Sequence, residues 1–503
     1  MISNVHAVKT RTFQLSDQLK IMENGTPMEC TTNKSMYVAT LAIVSLFGLV
    51  ECQSTGKYSS SRSAEPPCLR EVAAPPVLPY ERQIYSVADF WLEKDLWADH
   101  LLLTSEQITE HNQRMEGLLE DGWPTGRWDL RKRPVEHESI YKELLSQMVH
   151  FREDVAQGKK LHADGIKAVE VPALLENEIK HTGPVDEFRL IYRSTPLRCY
   201  PTNKGIYDDV WQTAFDLMQC SQLRVGEMVR VLRRGNNWWY AWSSYSGGWI
   251  VPGGLTPPLS PEEVQNFLDA KRFIVTTHDN VPIWSAPKGG NLLTVTRLGV
   301  RLPLLAETKT ALQVSIPSER GITEGWIQTP EQVTVGYLPF TRRYLTQIAF
   351  RQFNSRYGWG GIGGNRDCSR MLMDIFSPFG LLLPRNSARQ AQAGWISMDV
   401  ADLNEEEKEQ AIEEAFKKGA VLLYMPGHIM LYVGKDNGHL YALHSFSGYL
   451  VPCPKGGETM NRVNRTAVTS LELGRGSSRK AFIERITRLI IFGAYPLTNE
   501  RNS

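Results

Sequence analysis

The chain has 503 residues, 42% of them hydrophobic and 22% charged, which suits several packed domains better than one core. Lysine and arginine (56) nearly balance aspartate and glutamate (55), and the resulting net charge of +1 argues against a nucleic-acid partner. The seven cysteines, at positions 30, 52, 68, 199, 220, 368 and 453, show no Cys-x-x-Cys spacing and no dense framework. Neither a zinc site nor disulfide stapling is therefore expected, and no metal or organic cofactor is implied.

Residues 1–52 read as a leader. Tyr37 to Val50 is an apolar run preceded by Lys34, short for a membrane span and suited to the core of a signal peptide, so export to the periplasm or cell envelope is expected. Cys52, in "LVECQS", resembles the site where bacterial lipoproteins are cleaved and acylated, which implies membrane attachment through an N-terminal lipid. Glu51 stands where that pattern has a small residue, and Met28 and Met36 are alternative starts. Residues 53–82, rich in Ser, Pro and Ala, read as a tether. Residues 83–183 read as helical, because "SVADFWLEKDLWADHLLL" and "SIYKELLSQMVHFREDVAQG" carry apolar residues at helical spacing.

The period then falls to two. Short aromatic strands occupy 184–260, in "GEMVRVLRRGNNWWYAWSSYSGGWIVPG", and again 261–338, after the "TPPLSPEE" linker. A repeated Gly-Trp-Ile, at Gly248–Ile250 and Gly325–Ile327, marks matching last strands. Trp238, Trp239 and Trp242 form either a ligand platform or, more commonly for strand aromatics, the packing of a small barrel.

Residues 339–503 hold the chemistry. In "RDCSRML" an amphipathic helix begins at Cys368, with Asp367 as its cap and Met371, Leu372, Ile375 and Phe376 on one face. A first-turn thiol is favoured as thiolate by the helix dipole and the free N–H groups, which lowers its pKa from about 8.5. The glycines of "NSRYGWGGIGGNRDCS" let backbone approach a ligand closely, and they lack the lysine of a phosphate loop. A base is offered by "GHIMLYVGKDNGHLYALHSFSGY", two strands around Asn437-Gly438 carrying His428, His439 and His444. A two-residue turn pairs 428 with 447 and puts His428 and His444 on opposite faces. A three- or five-residue loop pairs 428 with 446 and makes them neighbours on one face. In the second register one imidazole serves the thiol and the other orients it.

This order of motifs, over about residues 340 to 497, resembles the NlpC-type cysteine peptidases, papain-like enzymes that cut peptidoglycan stem peptides. The motifs are "YGWGG", "DCS" opening a helix, "LPRNSARQAQAG", a Gly-His at a strand start and a second histidine beyond. The resemblance implies Cys368 as nucleophile, His428 as base and His444 as orienting residue, with Arg370 where the family commonly has glycine. The segments before it resemble a helical stabilising domain and two bacterial SH3-like barrels, so the expected fold is α+β and multidomain with a papain-like peptidase at the C-terminus. The implied activity is cleavage of the γ-D-glutamyl bond to a diamino acid in murein stem peptides with a free N-terminal L-alanine. Asp367, Ser369, Tyr357, Glu227 and Tyr245 are the implied substrate contacts, the last lying one residue farther from its tryptophan than the family pattern. A non-catalytic murein-binding protein and a thiol acyltransferase are the competing readings.

Overall fold

The computed structural model describes residues 83–116, 129–156, 162–163, 165, 167, 170–207, 215–453 and 456–493. The leader, Cys52 and the tether lie outside them. The first helices are α1 (Ala88–Leu92), α2 (Ser105–Glu116), α3 (His137–Ala156) and α4 (Val171–Lys180). The helical reading of "SVADFWLEKDLWADHLLL" therefore stops early. Asp95 accepts the Trp97 N–H in a local turn and pairs with Arg342, and Leu101–Leu103 runs as a strand against Phe340–Thr341. Acidic side chains that bond their own backbone compete with helix at such positions.

Two antiparallel sheets follow. The first contains β1 (Gly183–Leu190), β2 (Thr195–Arg198), β3 (Gln219–Leu223), β4 (Met228–Arg234), β5 (Trp239–Ser243) and β6 (Gly247–Ile250), in the order β1-β4-β5-β6-β2-β3. Trp238 and Trp242 are buried and Arg133 stacks on Trp242, so these aromatics pack the sheet rather than line a platform. A disulfide joins Cys199 to Cys220, closing the end of β2 onto β3, and Cys453 is disulfide-bonded as well. This corrects the expectation of no stapling: the two cysteines are adjacent across a strand pair, not along the sequence. Helix α5 (Pro261–Leu268), fixed by a capping box between Ser260 and Glu263, leads to the second sheet. That sheet comprises β7 (Phe273–Thr276), β8 (Val281–Trp284), β9 (Leu292–Thr296), β10 (Arg301–Glu307), β11 (Leu312–Ser318), β12 (Gly321–Ile327) and β13 (Val333–Val335). The second Gly-Trp-Ile ends β12, with one short strand still to come.

The C-terminal region contains α6 (Arg342–Phe350), α7 (Cys368–Phe376), α8 (Glu405–Phe416) and a six-stranded sheet. Its strands are β14 (Ile396–Asp399), β15 (Ala420–Met425), β16 (His428–Asp436), β17 (His439–Pro452), β18 (Glu458–Ser470) and β19 (Arg488–Phe492), in the order β14-β19-β15-β16-β17-β18. Helix α7 packs on β16 and β17, and every one of its residues is buried. One hydrophobic core runs from Tyr85 and Trp91 through Val229 and Ile250 to Met371, Phe376 and Leu431, so the first sheet and the C-terminal region share an interior.

Candidate active site

The hairpin of β16 and β17 settles where the histidines stand. Its turn has two residues, Asn437 and Gly438, both with positive φ, and Asp436 faces His439. That turn alone would have placed His428 and His444 on opposite faces. A bulge between Tyr432 and Gly434 inserts one residue, so that Leu431 faces Leu443 and the register beyond it is shifted by one. The histidines consequently share a face: His428 Nε2 lies 2.8 Å from His444 Nδ1. The one-face arrangement is thus reached by a bulge, not by the longer loop the sequence reading required.

The chain of contacts continues. His444 is fully buried, with Nε2 2.9 Å from the Thr469 hydroxyl on β18 and its ring stacked on Phe446 at 4.1 Å. With Thr469 accepting from His444 Nε2 and His444 Nδ1 accepting from His428 Nε2, the lone pair of His428 is left on Nδ1. Burial, and then Arg485, push His428 down to about 3. Burial, and then His428, hold His444 well below the usual histidine range. Both rings are neutral at neutral pH. His439 belongs elsewhere, half-exposed and paired with Glu472 at 2.8 Å. Thr469 has no local sequence signature, and only its position on the neighbouring strand brings it to His444.

Cys368 is the first residue of α7, is 8% exposed, and is the free cysteine among the described residues. Asp367 caps the helix, its carboxylate accepting the Arg370 N–H at 2.8 Å. Backbone N–H groups of Ile429, next to His428, and of Ser369 favour the thiolate, yet burial and then Asp367 outweigh them and push the thiol up to about 12. The expected lowering by the helix end is thereby reversed: a desolvated thiol beside a carboxylate stays protonated. Tyr357 is close enough to Cys368 and Asp367 for both to disfavour its phenolate, after burial itself. Phe215, from the first-sheet region, lies 6.0 Å from the Tyr357 ring.

The glycine-rich loop packs against the first sheet at Gly360, while Gly361, Gly363 and Gly364 line a cavity. A Cβ at Gly360 would lie 2.3 Å from the Gln219 carbonyl oxygen of β3, and Gln219 Nε2 donates to the Gly360 carbonyl at 3.2 Å. Positive φ at Gly360, Gly361, Gly363 and Gly364 makes that docking possible.

Around the cap the structure assembles the other expected contacts and changes their charge. Ser369 donates to Asp367 at 3.2 Å, and Arg385 forms a bidentate pair with Asp367 at 2.6 and 3.1 Å while also reaching Ser369 and Ser221. Tyr245 donates to Glu227 at 2.8 Å, and Arg370 links them to the helix, at 3.0 Å from the Tyr245 hydroxyl, 3.4 Å from Glu227 and 2.9 Å from Asp374. Arg224 pairs with both Glu227 and Asp374 at 2.7 Å, and Arg366 bridges Asp374 to Asp279. Burial opposes the ionised form of Glu227, and Arg224 and Arg370 nonetheless hold it below the usual range. The expected ammonium clamp of Glu227 and Tyr245 is therefore already closed by two guanidinium groups. Arg385 and Arg370 are the members of this network that the sequence reading did not name among the implied contacts. The glycine-to-arginine departure at 370 was the available signal, and Arg385 lay inside a motif quoted for other reasons.

A buried thiol at a helix start, with a hydrogen-bonded histidine pair on the strands that helix packs against, is the kind of arrangement in which an imidazole can serve a thiol. Residues 354–449 match the family model described as the NlpC/P60 family, so the chain carries a C-terminal NlpC/P60 domain, and members of that family are cysteine peptidases. A solved NlpC/P60 endopeptidase from Photobacterium damselae subsp. piscicida is similar in fold, with a TM-score of 0.62 at 16% identity, covering 79% of this chain and 95% of that one. An NlpC/P60 family protein from Bacillus cereus ATCC 10987 aligns at a TM-score of 0.38 and 16% identity, over 61% of this chain and all (100%) of that one. No curated relative matches the chain.

Proposed function

We propose that the protein is a thiol-dependent endopeptidase that hydrolyses the γ-D-glutamyl bond to a diamino acid in murein stem peptides. The observation that carries this reading is the chain from His428 to His444 to Thr469 on the strands against which the Cys368 helix packs, Cys368 being the free cysteine among the described residues. In this reaction Cys368 Sγ attacks the γ-carbonyl carbon as its proton passes to His428 Nδ1. The C–N bond then breaks, His428 returns the proton to the leaving amine, and a thioester remains. Water, deprotonated by the same imidazole, cleaves that thioester and restores the thiol. His444 and Thr469 keep the base in one tautomer and orientation, which is the orienting part of a triad.

We read the two antiparallel sheets as SH3-like barrels that wall the groove, since β3 seats the glycine-rich loop and β4 and β5 flank the residues reaching the cap. An exported location is part of the proposal, supported by the Cys199–Cys220 disulfide, because such bonds persist in oxidising compartments. Among the described residues no helix is long and apolar enough to cross a membrane, and acylation at Cys52 would supply an anchor. Purified protein incubated with defined muropeptides, with products weighed by mass spectrometry, tests the reading. Appearance of a free diamino-acid amine supports it. Unchanged mass would favour a wall-binding role, and a mass increase on an acceptor would favour acyl transfer.

A further inference from the structure

A cavity of about 390 Å³ lies where the first sheet, the second sheet and the glycine-rich loop meet, and Cys368, His428 and His444 take no part in its lining. Its charged wall is made of Arg224, Arg297, Arg366, Arg370 and Asp374. Asp374 is already held by three of those guanidinium groups, at 2.7 Å from Arg224 and Arg366 and 2.9 Å from Arg370. The other carboxylates paired with these arginines, Glu227 and Asp279, do not line the cavity. The network therefore holds one guanidinium more than it has carboxylates. Arg297 carries that excess toward the cavity, because its side chain is 31% exposed against 9%, 4% and 3% for Arg224, Arg366 and Arg370. It makes one contact from each nitrogen, to Asp279 at 3.1 Å, to the Asn280 side-chain oxygen at 3.3 Å and to the Gly364 carbonyl at 2.5 Å. Each of its terminal nitrogens thus keeps a second N–H. Burial pulls Arg297 below the usual arginine range, against the opposite effect of Asp279. The rest of the wall is mainly polar and uncharged: Ser194, Gln222, Asn280 and Asn365 stand with Val225 and Val295. Among the described residues the Asn365 side chain has no hydrogen-bond partner, and a Cβ at Gly363 would meet that amide alone, at 3.5 Å.

We infer that this cavity binds a small acidic carbohydrate, a polyhydroxylated molecule with one carboxylate or phosphate group, whose oxyanion meets Arg297 and whose hydroxyls meet Ser194, Gln222, Asn280 and Asn365. A guanidinium with spare N–H groups suits the planar or tetrahedral oxygens of such an anion, and a charge-assisted bond of this kind is stronger than a neutral one. A cation is disfavoured, since the one carboxylate in the wall is occupied. A hydrophobic ligand is disfavoured as well, because it would leave the amides and N–H groups without partners in a closed space. Carboxylate and phosphate share the chemistry that the wall recognises. The inference concerns a second site and does not depend on the endopeptidase reading.

The test is titration calorimetry of the full chain at fixed ionic strength, with glucose 6-phosphate, glucuronate and uncharged glucose as probes. At least one of the two anions is expected to bind more tightly than glucose by about tenfold or more. Binding of glucose 6-phosphate alone assigns the oxyanion as phosphate, binding of glucuronate alone assigns it as carboxylate, and similar affinities show that either is accepted. Arg297→Gln is expected to weaken the anion by about tenfold, and Asn365→Ala, which leaves every arginine pair in place, by about threefold. Glucose binding as tightly as both anions, or no binding by any probe, overturns the inference. Anion affinity unchanged in both variants also overturns it, because the ligand then sits elsewhere. If Arg297→Gln does not fold, Asn365→Ala decides.

Discussion

At the scale of single residues, the protonation of Cys368 and His428 sets how the site must work. With the thiol pushed up to about 12 and the imidazole down to about 3, the resting pair is neutral, and proton transfer accompanies attack. Two measurements follow. Alkylation of Cys368 by iodoacetamide should be slow at pH 7 and keep rising above pH 9; a plateau between pH 5 and 8 would reveal a preformed thiolate and defeat this assignment. Over the same range kcat/KM should be nearly equal at pH 5 and pH 7, because the base form of His428 is already populated. Substitutions should rank by distance from the reacting atoms. Cys368→Ala removes turnover, and His428→Ala costs roughly 10²- to 10⁴-fold. Thr469→Val deletes one hydrogen bond worth about 1 kcal/mol, or about fivefold in kcat. A Thr469→Val enzyme as impaired as His428→Ala would mean that the hydroxyl has another role. The thiol at a helix start and the two strand histidines were legible in sequence as positions because a capped helix and a Gly-His strand are local patterns. Thr469 and the thiol's protonation state were not, since both depend on what surrounds the side chain after folding.

At the scale of elements, the decisive feature is the β16–β17 bulge. Asn-Gly is a strong signal for a two-residue turn, and the structure has that turn, yet the register at His428 is one residue off what the turn alone imposes. The cause lies far away in sequence: Gly434 has φ +144°, and a Cβ there would sit 3.1 Å from the Trp91 ring of α1. Bulges of this kind re-aim side chains next to functional sites. No reading of the hairpin by itself reveals a partner hundreds of positions earlier. Gly434→Val should therefore do two things. It strains a backbone region that suits glycine and presses on Trp91, with an expected loss of about 1–3 kcal/mol in chemical denaturation. It also moves His428 relative to Cys368, so kcat should fall in the fraction that remains folded. A variant with lowered stability and unchanged kcat would show that the bulge serves docking of α1 and not the register of the site.

At the scale of the whole molecule, the helix that starts at Cys368 is held from several directions by parts that look separable in sequence. Helix α2 sets His111 against the Ala393 carbonyl at 2.7 Å and Asn112 against the Gly380 carbonyl and the Leu382 N–H. The loop so held carries Arg385, the partner of Asp367. In the sequence, period distinguishes a helical stretch from the strand-rich ones that follow, and resemblance sets off the C-terminal stretch. Both are silent on this cross-bracing, because it is made of side chains with no periodic signature. A consequence is readable in acid. His111, like His428 and His444, is kept below its ordinary value by burial, so each takes up its proton at lower pH in the native protein than in the unfolded chain, where this happens near pH 6.5. Where the unfolded state binds more protons, stability falls as pH falls, by up to about 1.4 kcal/mol per pH unit for each such group once the pH is below 6.5. Carboxylates held low by arginine, such as Asp374 and Glu227, act further down, below about pH 4.5. The window from pH 7.5 to 5 thus isolates the histidines. Tm should be flat from 7.5 to 6.5 and then decline steadily, and His111→Gln should remove part of that decline while leaving the alkaline Tm lowered by the lost bond to Ala393. A melting temperature unchanged between pH 6.5 and 5 would mean that the native state accepts protons as readily as the unfolded chain, and that these histidines are not sealed from water.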